Sequence, residues 1–108
     1  MNLRRLFRKV YGIELPIKGG TGDSLDNAIV IFGVSTIDSI NIEEQVLDLM
    51  HDLNDYDYEL VELESINKGK YTYDKYVMKL QCQHTKRILL KTYYFDITNC
   101  RLMDLKMD

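Results

Sequence analysis

Asp48 and Asp52 stand four residues apart with His51 three beyond the first, so on a helix the three neighbour one another. Two carboxylates and an imidazole are donors that several divalent ions accept. A metal centre needs a fuller shell, and no second cluster of His or Cys exists: the only other histidine, His84, falls in a predicted turn. The group therefore reads as the solvated side of a helix, and neither a metal nor another cofactor is expected.

The run Gly19-Gly20-Thr21-Gly22-Asp23-Ser24 raises a second chemistry, because successive backbone N–H groups in such loops can cradle an anion. A phosphate loop leads from a strand into a helix and ends in Lys-Ser/Thr. Here a helix pattern precedes the loop, a strand pattern follows it, and Lys18 stands before the glycines. The segment reads as a structural turn in which Asp23, Ser24 and Asn27 satisfy local backbone donors. Nucleophilic catalysis needs a serine set against a histidine, and no local feature marks Ser24, Ser35, Ser39 or Ser65. A non-enzymatic protein is expected. The alternatives are a small metal-dependent or nucleotide-related enzyme and a structural subunit without a ligand site.

Charge is distributed in blocks. Residues 19–67 contain twelve carboxylates and no Lys or Arg, whereas residues 1–18 carry a net +4 and residues 68–108 a net +5. The total of −3 conceals this polarity. Charge separated in this way governs steering and choice of partner more than fold. A chain of 108 residues with 45% apolar and 29% charged content has the make-up of one globular domain. Cys82 and Cys100 are too few and too far apart for a zinc knuckle or a redox pair, which points to reduced thiols in a cytoplasmic protein. No apolar run approaches the roughly 18 residues of a membrane span. No apolar stretch follows the basic start, so no secretory signal is expected.

The elements that must carry these residues follow from periodicity. Leu3, Leu6, Phe7 and Val10 recur at helical spacing among Arg4, Arg5, Arg8 and Lys9, with Gly12 as the C-terminal cap. Residues 1–18 are thus a basic amphipathic helix and loop, and 19–108 a compact module. The run from Ala28 to Val34 has the β-branched and aromatic make-up of a buried strand. A second helix is predicted from Ile42 to Leu53, capped by Asn41 with Glu44 three residues on. Its stripe is Ile42, Val46, Leu49, Met50 and Leu53, leaving Glu44, Asp48, His51, Asp52 and Asp55 on the solvent side. Strands are predicted over Tyr58 to Ile66, Tyr71 to Cys82 and Arg87 to Ile97, the first two joined by an Asn67-Lys68-Gly69-Lys70 hairpin turn. The tail from Arg101 reads as a last helical turn or a frayed end. The expected class is α+β, with one or two helices on a mainly antiparallel sheet of about four strands, in the order α-β-α-β-β-β.

Gly20-Thr21-Gly22-Asp23-Ser24, Asn27-Ala28-Ile29-Val30-Ile31 and Tyr94-Phe95-Asp96-Ile97-Thr98, with Tyr73-Asp74 between, resemble the landmarks of a family of small uncharacterised bacterial proteins. In that family a Gly-x-Gly-x-Ser loop leads into an Asn-Pro/Ala-Ile-x-Ile strand, and a Tyr-Phe-Asp-Ile-Thr strand closes the sheet. The resemblance spans roughly residues 19–98, with Ala28 where proline is frequent. It implies a compact α+β module of bacterial source and carries no activity or catalytic residue across.

The remaining lead is the acidic stretch. Glu44, Asp48 and Asp52 stand at successive i, i+4 positions, where like charges cost about 0.2–0.5 kcal/mol per pair. Lysines of the later strands could pair these acids, water could solvate them, or a basic partner could bind them. Tyr56 and Tyr58 alternate with Asp57, and tyrosine supplies apolar area with a polar tip at interfaces. Glu44, Asp48, Asp52, Asp55, Asp57, Tyr56 and Tyr58 are the expected partner-binding residues, facing a basic protein as an immunity or inhibitor protein would. Nucleic acid is not an expected partner, since the acidic centre repels phosphate. Nor is a membrane, because the four apolar residues of the first helix grip lipid weakly.

Overall fold

The computed structural model describes residues 2–106. The chain opens with α1 (Leu3–Tyr11), capped by the Asn2 side chain accepting from the Arg5 N–H. Gly12 ends α1 in the left-handed region at φ 69°, its N–H donating to Arg8 O. Two short strands, β1 (Ile17–Gly19) and β2 (Ile29–Ile31), flank the glycine loop and pair antiparallel. Helix α2 (Thr36–Leu53) follows, then β3 (Tyr56–Lys68), β4 (Tyr71–Cys82), β5 (Ile88–Asp96) and α3 (Thr98–Lys106).

The five strands form one mixed sheet in the order β1-β2-β5-β4-β3. β3, β4 and β5 are an antiparallel meander, and β5 lies parallel to β2. Alternation sets the core: Tyr76, Met78 and Leu80 of β4 and Tyr93 and Phe95 of β5 point to one face. There they meet Ile17, Ile29 and Ile31, with Phe7, Val46, Leu47 and Cys100 from the three helices. On the other face Glu59, Lys79 and Leu90 lie in solvent. The strands β3 and β4, 13 and 12 residues long, account for the 49 Å length of the molecule.

The α+β class stands, but several details differ from expectation. The order is α-β-β-α-β-β-β-α, with three helices and five strands. α2 begins six residues before Ile42, because Ser35 rather than Asn41 is its cap, accepting from Asp38 N–H at 3.3 Å. Residues 36–41 are modest helix formers, and Thr36 is held from outside by hydrogen bonds to the Asp104 carboxylate of α3. The tail is therefore an ordered helix that steadies α2, while residues 107 and 108 lie outside the described residues. β1 was missed because three residues show no period. The parallel β2/β5 pair was missed because strand patterns do not encode which strands become neighbours.

Candidate partner-binding face

α2 and β3 are joined by only two residues, and this brevity builds the site. Asn54 caps α2 with its side-chain amide donating to Met50 O at 2.7 Å. Asp55 takes the left-handed conformation at φ 55°, which short polar side chains tolerate best after glycine. The chain reverses there, so the first residues of β3 lie beside the last turns of α2. Two adjoining concavities result. One, of about 340 Å³, is lined by Asp48, His51, Asp52, Tyr56, Asp57, Tyr58 and Gln83. The other, of about 220 Å³, is lined by Glu44, Leu47, Asp48, Tyr58, Leu60, Tyr76 and Met78.

Six of the seven expected partner-binding residues thus meet, with Asp48 and Tyr58 common to both hollows. Asp55 lines neither. Its carboxylate lies 2.9 Å from His84 Nε2, holding that imidazole above its usual pKa, and its carbonyl accepts from Gln83 N–H. Asp55 serves the turn rather than the face. No lysine or arginine lines either concavity, and among the described residues Glu44, Asp48, Asp52 and Asp57 form no ion pair. Pairing by later lysines applies to β3 instead, where Glu59 stands opposite Lys79 and Glu64 meets Lys75 at 3.8 Å. Asp52 accepts from the Tyr11 hydroxyl at 2.5 Å, which ties α1 to the site; this bond, first of all, pushes the Tyr11 hydroxyl up to about 12.

His51 is not on the solvated side. It is 2% exposed and packed against Tyr58 with the rings tilted by 41° and their centroids 4.3 Å apart, while Nε2 lies 2.9 Å from the Tyr93 hydroxyl. One turn beyond Leu47, it belongs to the buried stripe of α2. Nδ1 has no partner, and burial, followed by the charge of Lys91, lowers the imidazole to about 4. The ring is therefore neutral near pH 7, a flat support for Tyr58 rather than a charge. Among the described residues no three His, Cys, Asp or Glu side chains are placed to hold a metal ion.

Glu43 counted only as one of the twelve carboxylates in the sequence, although counting four residues back from Leu47 places it on the same stripe. It is 0% exposed, and Oε1 accepts from the Tyr76 hydroxyl at 2.8 Å while Oε2 has no partner. Burial, and then the neighbouring Asp74 carboxylate, raise it to about 9, so it is a neutral acid near pH 7. It lines neither concavity of the face, and the shift reflects its burial in the core beside Tyr76 and Asp74.

The glycine loop is occupied with its own fold. Gly20 N–H donates to Ala28 O and Gly22 N–H to Asn27 O, while Tyr94 N–H donates to Gly22 O. Ser24 Oγ accepts from Asn27 N–H, but Asp23 accepts from side chains, those of Thr21 and Asn27, rather than from backbone donors. Two amides that would cradle an anion are thereby spent. A Cβ at Gly20 would overlap the side chain and carbonyl of Asn27. Gly20→Ala is expected to cost about 1–3 kcal/mol by overpacking. Urea denaturation checks this, and an unchanged midpoint would show that the loop yields freely.

No protein-family model, curated protein or solved structure matches this chain.

Proposed function

We propose that this chain is a non-enzymatic, cytoplasmic protein-binding module that presents an acidic, tyrosine-bearing face to a basic partner, in the manner of an immunity or inhibitor protein. The observation that carries this reading is the pair of concavities between α2 and β3. Four carboxylates without ion pairs surround Tyr56 and Tyr58, and no cation lines the hollows. Like charges held together cost folding energy, on the order of 1 kcal/mol here, and a complementary partner converts that cost into fast, selective association. Tyr58 rests on a neutral ring, so its orientation is set before a partner arrives. The resemblance to small bacterial proteins implies a compact α+β module and supplies no activity that competes with this reading. No helix among the described residues is long and apolar enough to cross a membrane.

The test compares wild type with E44Q/D48N/D57N in capture from a bacterial lysate. Asp52 and Asp55 are left intact because they bond Tyr11 and His84. The variant is expected to melt at the same temperature or slightly higher and to lose a partner that wild type releases in salt. Equal capture by both proteins would remove the acidic face from the function.

A further inference from the structure

β3 is the outermost strand of the sheet and the longer of its two edges, 13 residues against three for β1. Among the described residues its backbone pairs only with β4, so alternate N–H and C=O groups point outward unbonded. The two faces of this edge differ sharply. On the solvent face stand Asp57, Glu59, Glu62 and Glu64, the residues opposite Gln81, Lys79, Val77 and Lys75 of β4. Two lysines serve four carboxylates, and the flank away from β4 supplies no cation. On the helix face Tyr58, Leu60 and Leu63 are 38%, 49% and 53% exposed, because α2 lies beside only the first residues of this last strand and covers them in part. A bulge between Leu60 and Glu62 keeps acids on one face and apolar residues on the other despite the extra residue.

Resting on the reading above, and specifying how its partner is held, we propose that the free edge of β3 accepts one added strand from the basic partner: an extended segment with Lys or Arg at alternate positions and apolar residues between them. Main-chain hydrogen bonds supply affinity and the alternating side chains supply selection. The molecule already contains part of the pattern on the inner side, where Lys75 pairs with Glu64 at 3.8 Å and Lys79 stands opposite Glu59, with Val77 between them opposite Glu62. A second copy of this chain fits poorly. Pairing β3 with another β3 sets carboxylates opposite carboxylates, which is unfavourable in a cross-strand pair. The acids thus block self-association and select a basic strand through one mechanism.

The test titrates the full chain with three eight-residue peptides, followed by amide hydrogen exchange and by affinity. The first alternates lysine and valine. The second has the same composition in blocks, all its lysines preceding all its valines. The third is the alternating peptide N-methylated at every second residue. The alternating peptide is expected to protect alternate amides of residues 57–68, and to bind at least about tenfold more tightly than either control, the difference of about 1.4 kcal/mol that one or two hydrogen bonds supply. Equal, salt-sensitive binding by all three without protection of β3 overturns strand addition while leaving the acidic face intact. No binding by any peptide overturns both. A concentration-dependent dimer that protects β3 in the absence of peptide also overturns the proposal, by showing that a second copy takes the edge.

Discussion

Replacing Glu43 with glutamine is expected to remove a loss of about 2 kcal/mol in stability between pH 6.5 and 8. In the folded protein Glu43 is raised from 4.5 to about 9, so between those values the folded state holds a proton that the unfolded chain has released. Stability from this group is greatest below pH 4.5 and is lost progressively as pH rises towards 9. His51 acts in the opposite sense. Lowered from 6.5 to about 4, it contributes stability that is complete above pH 6.5 and lost as pH falls through 4. The two slopes cancel between about pH 4.5 and 6.5, leaving a plateau. Above it Glu43 lowers stability as pH rises and the raised His84 acts in the same sense, whereas Cys82, lowered from 9.0 to about 7, acts against them above pH 7. The share of Glu43 between pH 6.5 and 8 is about 2 kcal/mol at about 1.4 kcal/mol per unit. Glutamine retains an acceptor for Tyr76 without the proton, so E43Q is expected to lack the Glu43 share and to keep only the slopes of His84 and Cys82 over that interval. Urea titrations at half-unit pH steps measure both curves. A wild-type curve parallel to that of E43Q over this interval would show Glu43 ionised in the folded state.

Phe7→Ala is expected to cost about 3–5 kcal/mol, a large part of the stability of a domain this size. Phe7 is the one fully buried side chain of α1 and packs in the same core as Phe95 and Leu47. Helices of this length are marginal alone, and the other attachments of α1 are weaker. Arg4 and Glu14 pair at 2.8 Å on the exposed surface, and Tyr11 reaches Asp52 through one hydrogen bond. The variant is expected to lose hydrogen-exchange protection in α1 before the sheet, and denaturant titration gives the cost. A loss below about 1 kcal/mol would mean that α1 rests on the domain without completing its core.

Local chemistry made α1, the β3–β4 hairpin and the face of β5 legible. Leu3, Phe7 and Gly12 mark a helix and its end, Asn67 to Lys70 mark a tight turn, and Leu89, Tyr93 and Phe95 alternate over several residues. Each signal is complete within about ten residues, so no distant contact is needed to read it. The acidic face was legible for the same reason, since Asp48, Asp52 and Asp57 are close in sequence on either side of a short turn. The place of Asp55 in the turn was not legible, because its left-handed backbone and its bond to His84 exist only once β4 and β5 bring the turn at residues 83–87 alongside.

Composition and periodicity by themselves determined an α+β protein, the hairpin, and the concentration of carboxylates at one junction. Tertiary structure alone decided which carboxyl was buried, which strand became the edge and which acids remained unpaired. Glu43 and Glu44 are chemically alike and adjacent, and one is neutral in the core while the other rims a hollow. A helical step of about 100° separates them, so their fates depend on where α2 lies over the sheet. That placement follows from β5 returning to pair with β2, 66 residues away along the chain in the Ile29 to Phe95 register, an arrangement set by the summed packing of the core rather than by any local pattern.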